Sequence, residues 1–367
     1  IKKLRNDAMF GTTTYGGSGA EINNGNVFEV AKTKDGYAST PTVLFTFDVL
    51  DGVHPEAGLI IDADGNLFGT ASAGGASFQG TVFELPKTAQ GYASTPTVLV
   101  SFNGANGANP EGGLIFDAAG KLFGTTTAGG AYGFGTVFEI AKTKTGYTTT
   151  PTTLVSFDGS NGASPDAALM FNRKGDLLGT TAAGGPYGVG TVFEIAKMKG
   201  SYASRPSTLV SFNVANGDNP FGGLIADARG DLFGSTVVGG ANQDGTIFEL
   251  AKTRGGYAPA LTTLVSFNGT DGFQPVGLLA DAKGDLLGPT YFGGASNDGT
   301  VFELTGSGFV PRLAFAGTPG SAECYGQSVL SLLQHDRNLD VAAATRGLGR
   351  AEALQTAISE YCGTLAP

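Results

Sequence analysis

The tripeptide Val/Ile-Phe-Glu occurs six times, at 27–29, 82–84, 137–139, 192–194, 247–249 and 301–303, with spacings of 55, 55, 55, 55 and 54 residues. A period this regular means one structural unit copied six times along the chain. Repetition of that kind specifies a scaffold. Only departures from it can mark a site.

One copy, residues 58–110, predicts four short strands: Gly58–Asp62, Leu67–Thr70, Thr81–Leu85 and Thr97–Phe102. Asp64-Gly65 suits a tight hairpin turn between the first two, and residues 87–96 read as a loop. Several of these runs are continuously apolar rather than alternating, which calls for cover on both faces of the sheet. No segment within 1–317 carries a helical apolar period, so the sheets must cover one another. The expectation is an all-β, six-bladed β-propeller of four-stranded antiparallel blades. An open β-solenoid is the rival, but its coils are usually shorter. Two series of phenylalanines fit the propeller: Phe28, Phe83, Phe138, Phe193, Phe248 and Phe302 on third strands, and Phe47, Phe102, Phe157, Phe212, Phe267 and Phe315 on fourth strands. Each buried ring should contribute about 1.5–3 kcal/mol.

The motif seen at Gly113-Leu114-Ile115-Phe116-Asp117-Ala118-Ala119-Gly120-Lys121-Leu122-Phe123-Gly124-Thr125-Thr126, then Gly129-Gly130, then Gly135-Thr136-Val137-Phe138-Glu139, resembles the GloVer tandem repeat of secreted bacterial proteins. The resemblance runs from residue 1 to about 317. It implies export to the periplasm, the extracellular space or the cell surface, and it implies no reaction. The first two strands are also similar to NHL-type blades. The Gly-Gly doublets are similar to those of kelch blades, although the chain has no Trp.

The ends are irregular. The first copy opens near its second strand, with Ile1–Arg5 a remnant of the first, so ring closure is expected in a blade that joins N- and C-terminal strands. The last copy should place its fourth strand around Arg312–Phe315. From Thr318 to Pro367 the composition changes, and apolar residues three and four apart over 327–335, 340–348 and 350–361 predict short helices. Cys324 and Cys362, the two cysteines, bracket this segment. Their pairing would imply an oxidising compartment and stabilise a segment too small for its own core by about 4 kcal/mol; buried free thiols are the alternative.

A net charge of −10 and a pI near 4.7, with no cluster of Lys or Arg, exclude nucleic acid and anionic membrane surfaces as partners. No apolar run is long enough to span a bilayer, and no charged-then-apolar leader opens the chain, so a signal peptide is expected to be absent or removed. Elbow, zinc and copper motifs are all missing from the sequence.

The third-strand glutamates repeat too uniformly to be a site; they are expected to bond neighbouring backbone or to pair with Lys32, Lys87, Lys142, Lys197 and Lys252. The Asp-x-x-Gly segments at Asp117, Asp227 and Asp281, and Asp62-Ala63-Asp64-Gly65-Asn66, read as hairpin turns rather than calcium loops. The unequal positions follow the loop proline: Pro55-Glu56, Pro110-Glu111, Pro165-Asp166, Pro220-Phe221 and Pro275-Val276. In a propeller this point lies at the mouth of the central channel. Glu56, Glu111 and Asp166 would offer carboxylates there, enough for a hard cation such as Ca²⁺, with Phe221 and Val276 shaping one side. Solvated loop acids are the plain alternative. His54 occupies the loop position held elsewhere by Asn109, Ser164, Asn219 and Gln274. Tyr15, Phe78, Tyr132, Phe134, Tyr187, Tyr291 and Phe292 follow second strands and should share the mouth face, where Tyr132, Tyr187 and Tyr291 would stack on sugar rings. Tyr37, Tyr92, Tyr147, Tyr202 and Tyr257 should pack on the opposite face. Together these residues point to a binding module for a glycan, a protein or a small ligand. The alternatives are a metal-dependent hydrolase or lyase using Glu56, Glu111 and Asp166, and a structural subunit of a surface assembly.

Overall fold

The computed structural model describes residues 2–3, 8–16, 23–311 and 358. It is an all-β six-bladed β-propeller in which the copies form four-stranded antiparallel sheets. In the second copy the strands are Ile60–Ile61, Leu67–Ala71, Thr81–Leu85 and Thr97–Ser101, each paired with the next. The first strand is shorter than the sequence predicts, because the chain reaches the sheet only at the end of a long loop. The third strand is buried on both faces at Thr81, Val82, Phe83 and Leu85, as its unbroken apolar run requires.

The first sheet takes its first strand from Lys2–Lys3, paired with Met9 and Phe10. All four strands of that sheet therefore come from the first copy, not from the end of the chain as expected. In the sixth copy Leu286–Phe292 pairs with Phe273–Pro275, Leu279–Ala280 and Val301–Leu304. The strand expected around Arg312–Phe315, the helices expected beyond Thr318 and the Cys324–Cys362 pair lie outside the described residues.

Two local expectations change. The loop after the third strand contains its own small hairpin, Lys87–Thr88 with Gly91–Tyr92, repeated through the first five copies. It pairs Lys with Tyr across the strands. In four copies the Lys ammonium lies over the ring, 4.5 Å from the centroid of Tyr37, 4.1 Å from Tyr92, 5.8 Å from Tyr147 and 3.6 Å from Tyr257. These lysines thus stack on tyrosines, and the charges of Lys142 and Lys252 also act on Glu84 and Glu194; Glu139 takes Lys121 at 2.6 Å. The hairpin between the first two strands is longer than a two-residue turn. Asp62 accepts the N–H groups of Asp64 and Asn66 through Oδ1, and Gly65 sits at φ 89°. A short acidic side chain that caps its own turn gives this geometry without any ion.

Neighbouring copies are locked together by aromatics. The fourth-strand rings meet the third-strand rings of the next copy edge to face: Phe47–Phe83 at 5.0 Å, Phe102–Phe138 at 5.2 Å, Phe157–Phe193 and Phe212–Phe248 at 5.1 Å. Each third-strand ring stands over a second-strand glycine; a Cβ at Gly179 would be 2.7 Å from Phe193 Cζ. Tyr92, Tyr147 and Tyr202 also bridge copies, against Phe10, Phe68 and Phe123, and each hydroxyl donates to a turn carbonyl of its own copy. They are packing residues, as expected.

The chain divides into two compact units. The smaller one gathers Ala226–Asp231, Leu279–Leu287 and the described residues from Glu303. Its centre is the buried Asp227 carboxylate, which accepts N–H groups of Arg229, Gly230, Asp231 and Val310. Arg229 pairs with Asp227 and Asp231 and donates to the Gly308 carbonyl. A turn aspartate that only caps itself in other copies here also holds the segment at 308–310.

Candidate functional site

The loop leading into each first strand and the loop after each second strand touch, through the bridges Val53–Ala73, Ala108–Ala128, Ala163–Ala183 and Asp218–Val238. The two loop types therefore leave the sheets on one side, as expected. The larger unit holds all of the residues expected at the mouth. The prolines Pro55, Pro110, Pro165 and Pro220 are buried keys. Each packs against a glycine of the preceding copy (Gly25, Gly80, Gly135 and Gly190) where a Cβ would collide with the ring.

The residue before each proline, including His54, lies in the left-handed region at φ 52–59°. Its N–H donates to the preceding copy, His54 to Asn24 and Asn109 to Gln79. Its carbonyl accepts from its own copy, Ser72 N–H at His54 and Thr127 N–H at Asn109. His54 thus occupies a backbone joint common to five copies. Its ring lies edge-on to Tyr15 at 5.3 Å.

After the prolines the copies diverge. Glu56 Oε1 accepts the hydroxyl of Ser72 at 2.9 Å, and Glu111 Oε1 accepts that of Thr127 at 3.3 Å. The same hydroxyls also donate to the carbonyls of His54 and Asn109. In the fourth copy the equivalent of Ser72 and Thr127 is Ala182, so Asp166 faces no hydroxyl, and its Oδ1 is buried without a partner. In the fifth and sixth copies the two positions hold Phe221 with Val237, and Val276 with Tyr291. These positions therefore run from carboxylate with hydroxyl, through carboxyl with methyl, to Phe221 with Val237 and Val276 with a tyrosine.

The carboxyls act on one another in series. Burial, and then the charge of Glu56, raises Glu111 above the usual carboxylate range, against the hydrogen bond from Thr127. Burial raises Asp166 much further, to about 8, with Glu111 adding to it. At neutral pH Asp166 is mostly a neutral acid.

Among the described residues, four buried side-chain atoms lack hydrogen-bond partners: Asp166 Oδ1, Thr180 Oγ1, Asn219 Oδ1 and Ser235 Oγ. Their counterparts show what is missing. Thr12, Thr70 and Thr125 donate to the carbonyls of Ala57, Gly112 and Ala167 in the following copies, whereas Thr180 and Ser235 make no such bond. Each orphaned atom costs about 1–3 kcal/mol. Sequence reasoning found Glu56, Glu111, Asp166 and Phe221 but missed Ser72, Thr127, Ala182 and Thr180. The signal was there: the Ser/Thr/Ala/Val series changes in step with Glu/Glu/Asp/Phe sixteen residues earlier.

Tyr132 and Tyr187 stand well exposed on the loops after the second strands, with Tyr15 and Phe78, and Phe221 is 37 % exposed; Tyr291 is exposed too but lies within the strand Leu286–Phe292, which runs on through the position expected for a loop. Among the described residues no group of three or more His, Cys, Asp or Glu side chains is gathered to hold a metal ion, Glu56, Glu111 and Asp166 included. No helix among them is long and apolar enough to cross a membrane.

Six four-stranded blades with one unequal loop face place the chain among the β-propellers. It matches the Gloeobacter/Verrucomicrobia repeat over residues 2–170, 93–258 and 173–339, and the chain belongs to that family. No curated protein matches it in sequence. In structure it is similar to a candidate oxidoreductase (glucose dehydrogenase) of Thermus thermophilus, at TM-score 0.50 and 14 % identity over 82 % of this chain and 94 % of that one. Other similar structures are the PQQ-bound aldose sugar dehydrogenase of Streptomyces coelicolor (TM-score 0.48, 13 % identity, 81 % and 98 % covered) and a gluconolactonase of Xanthomonas campestris (TM-score 0.43, 14 % identity, 81 % and 90 % covered). At such identities the likeness speaks for the fold alone.

Proposed function

We propose that the chain is an exported binding module whose loop face takes a glycan, a protein or a small ligand at the channel mouth. One observation supports this reading above all. The copies agree at their core positions yet differ after the loop proline, where the five positions hold three carboxyls, Glu56, Glu111 and Asp166, and then Phe221 and Val276. A scaffold has no need of that inequality, whereas a ligand with one polar and one apolar side does. The exposed tyrosines around the mouth extend the surface on which such a ligand would rest. Membership of the repeat family, and the resemblance to secreted repeat proteins, support the exported setting.

The test is binding by the intact chain to a glycan array and in pull-down, for wild type, Glu111→Gln and Phe221→Ala. Affinity should fall about tenfold or more in both variants. Binding that ignores every mouth substitution would place the function elsewhere on the surface. An enzyme reading would draw on Asp166, because burial raises its carboxyl to about 8 and an acid shifted that way suits proton donation. The metal-dependent form of that reading, Ca²⁺ or another divalent ion on Glu56, Glu111 and Asp166, needs side chains gathered on one ion, and the described residues do not gather them.

A further inference from the structure

We propose that residues 307–310 are a strap held on the turn at 227–231 by an ionic clasp centred on Arg229, and that the strap comes off this turn, aided by salt, without unfolding of the propeller sheets. The inference concerns the smaller unit alone and does not depend on the mouth reading.

The strap stands where other copies use an aromatic ring. In the second, third and fourth copies Tyr92, Tyr147 and Tyr202 pack on Phe10, Phe68 and Phe123 of the copy before. Each hydroxyl donates to the glycine carbonyl of its own turn, at Gly65, Gly120 and Gly175. The sixth copy has no tyrosine after its third strand. Ser307 takes over the hydroxyl and donates at 2.9 Å to the carbonyl of Gly284, the matching turn glycine. A Cβ on Gly284, which sits at φ 92°, would collide with the Phe309 carbonyl, so the strap lies directly on that turn. The tie to the copy before is then made by polar groups instead of rings. Asp227 Oδ2 accepts the Val310 N–H at 3.2 Å, the Val310 carbonyl accepts the Ala228 N–H at 2.8 Å, and Arg229 Nη2 donates to the Gly308 carbonyl at 2.7 Å.

Arg229 is the departure from the repeat that makes this possible. The matching residues of the second, third, fourth and sixth copies are Asp64, Ala119, Lys174 and Lys283, none with a guanidinium fork. Its Nε lies 3.1 Å from Asp227 Oδ2 and 2.8 Å from Asp231 Oδ2, so one side chain serves two buried carboxylates and the strap at once. The three hydrogen bonds from strap to turn run through Arg229, Asp227 and the Ala228 amide between them, so loss of one side chain loosens them together. Edge-to-face rings are indifferent to ionic strength. An ion pair whose guanidinium is 54 % exposed is screened by it. Here one joint has an ionic tie where its counterparts have apolar ones, and a joint so held opens locally while the aromatic ties stay closed.

Hydrogen exchange on the full chain tests the clasp, read by mass spectrometry on peptides covering 226–231 and 305–311, with the third-strand peptide 136–140 as reference. In wild type, raising sodium chloride from about 0.05 M to about 0.5 M should speed exchange in the first two about threefold and leave the reference unchanged. Arg229→Ala should speed the same two about tenfold or more, again without the reference. Arg229→Lys should fall between, since a point charge on a flexible stem cannot serve both carboxylates and the Gly308 carbonyl together. The salt comparison needs no variant, which keeps the test decisive if Arg229→Ala folds poorly. Four outcomes would each overturn the proposal. These are wild-type exchange indifferent to salt at 305–311, unchanged protection there in Arg229→Ala, protection in Arg229→Lys equal to wild type, and an equal loss at 136–140. The last would mean that the strap opens only when the whole propeller does.

Discussion

The second and third copies and the fourth and fifth are built on the same backbone with the same core, yet they differ where their loops meet at the mouth. Phe102 and Phe212 pack alike against Phe138 and Phe248, at 5.2 and 5.1 Å. Gly80 and Gly190 both receive the proline of the next copy. Beside these constants the second and third copies satisfy every mouth carboxyl and joint hydroxyl, whereas the fourth and fifth leave four polar atoms unpaired. The difference separates two kinds of residue. Those gripped by the neighbouring copy cannot vary, because a change must be matched across the joint. Those facing the mouth have no such neighbour and are free to specialise.

The comparison requires core substitutions to cost the same in both pairs. Phe102→Ala and Phe212→Ala each empty a fully buried ring site, and each should cost about 3–5 kcal/mol in denaturant unfolding. Gly135→Ala and Gly190→Ala come next. Each glycine has φ near 100° and a Cβ position 2.7 Å from proline Cδ (Pro165 and Pro220). Strain and overpacking together should cost about 2–4 kcal/mol. A gap beyond about 1 kcal/mol within either pair would show that the copies are not equivalent scaffolds.

At the mouth the pairs should part. Asp166 titrates near 8 in the folded chain against 3.8 unfolded. Between those values the folded state holds the extra proton, so stability declines as pH rises from about 4 to 8. Asp166→Asn removes the ionisation. It should leave the melting temperature near pH 4 almost unchanged and raise stability progressively as pH climbs, by about 3 kcal/mol at pH 8. Glu111→Gln should show a weaker trend of the same sign, since Thr127 already supports its charge. A wild-type stability flat between pH 5 and 8 would mean that Asp166 is not the buried acid this geometry makes it.

The fold was readable because the period, the unbroken apolar third strands and the paired phenylalanines all report the same packing. Thr81–Leu85 was placed to the residue. The Lys–Tyr hairpin was hidden, since two-residue strands have no periodicity. At the mouth, the proline marked where Glu56, Glu111, Asp166 and Phe221 would stand. What the sequence did not display is the second half of the site. Ala182 carries no polar group, and an absent hydroxyl is visible only when the copies are superposed and Asp166 is seen to lack what Ser72 and Thr127 provide. Orphaned atoms such as Thr180 Oγ1 depend on separations of tenths of an ångström, which residue types do not encode.

The smallest effect belongs to the converse substitution. Thr127→Ala gives the third copy the methyl group that the fourth has at Ala182. It removes a hydroxyl donated to Glu111 Oε1 at 3.3 Å and to Asn109 O at 3.1 Å. The stability cost should be about 1 kcal/mol, because Thr127 lies at the edge of solvent and the backbone bond from its N–H to Asn109 remains. Its signature is electrostatic. Burial and Glu56 already push the Glu111 carboxyl up, and the Thr127 bond opposes them. Without that bond Glu111 should titrate at higher pH, visible in carboxyl carbon shifts, and should begin to resemble Asp166. If Glu111 titrates unchanged, hydroxyl donors do not set the charge of the mouth, and the contrast between the copies reduces to side-chain size.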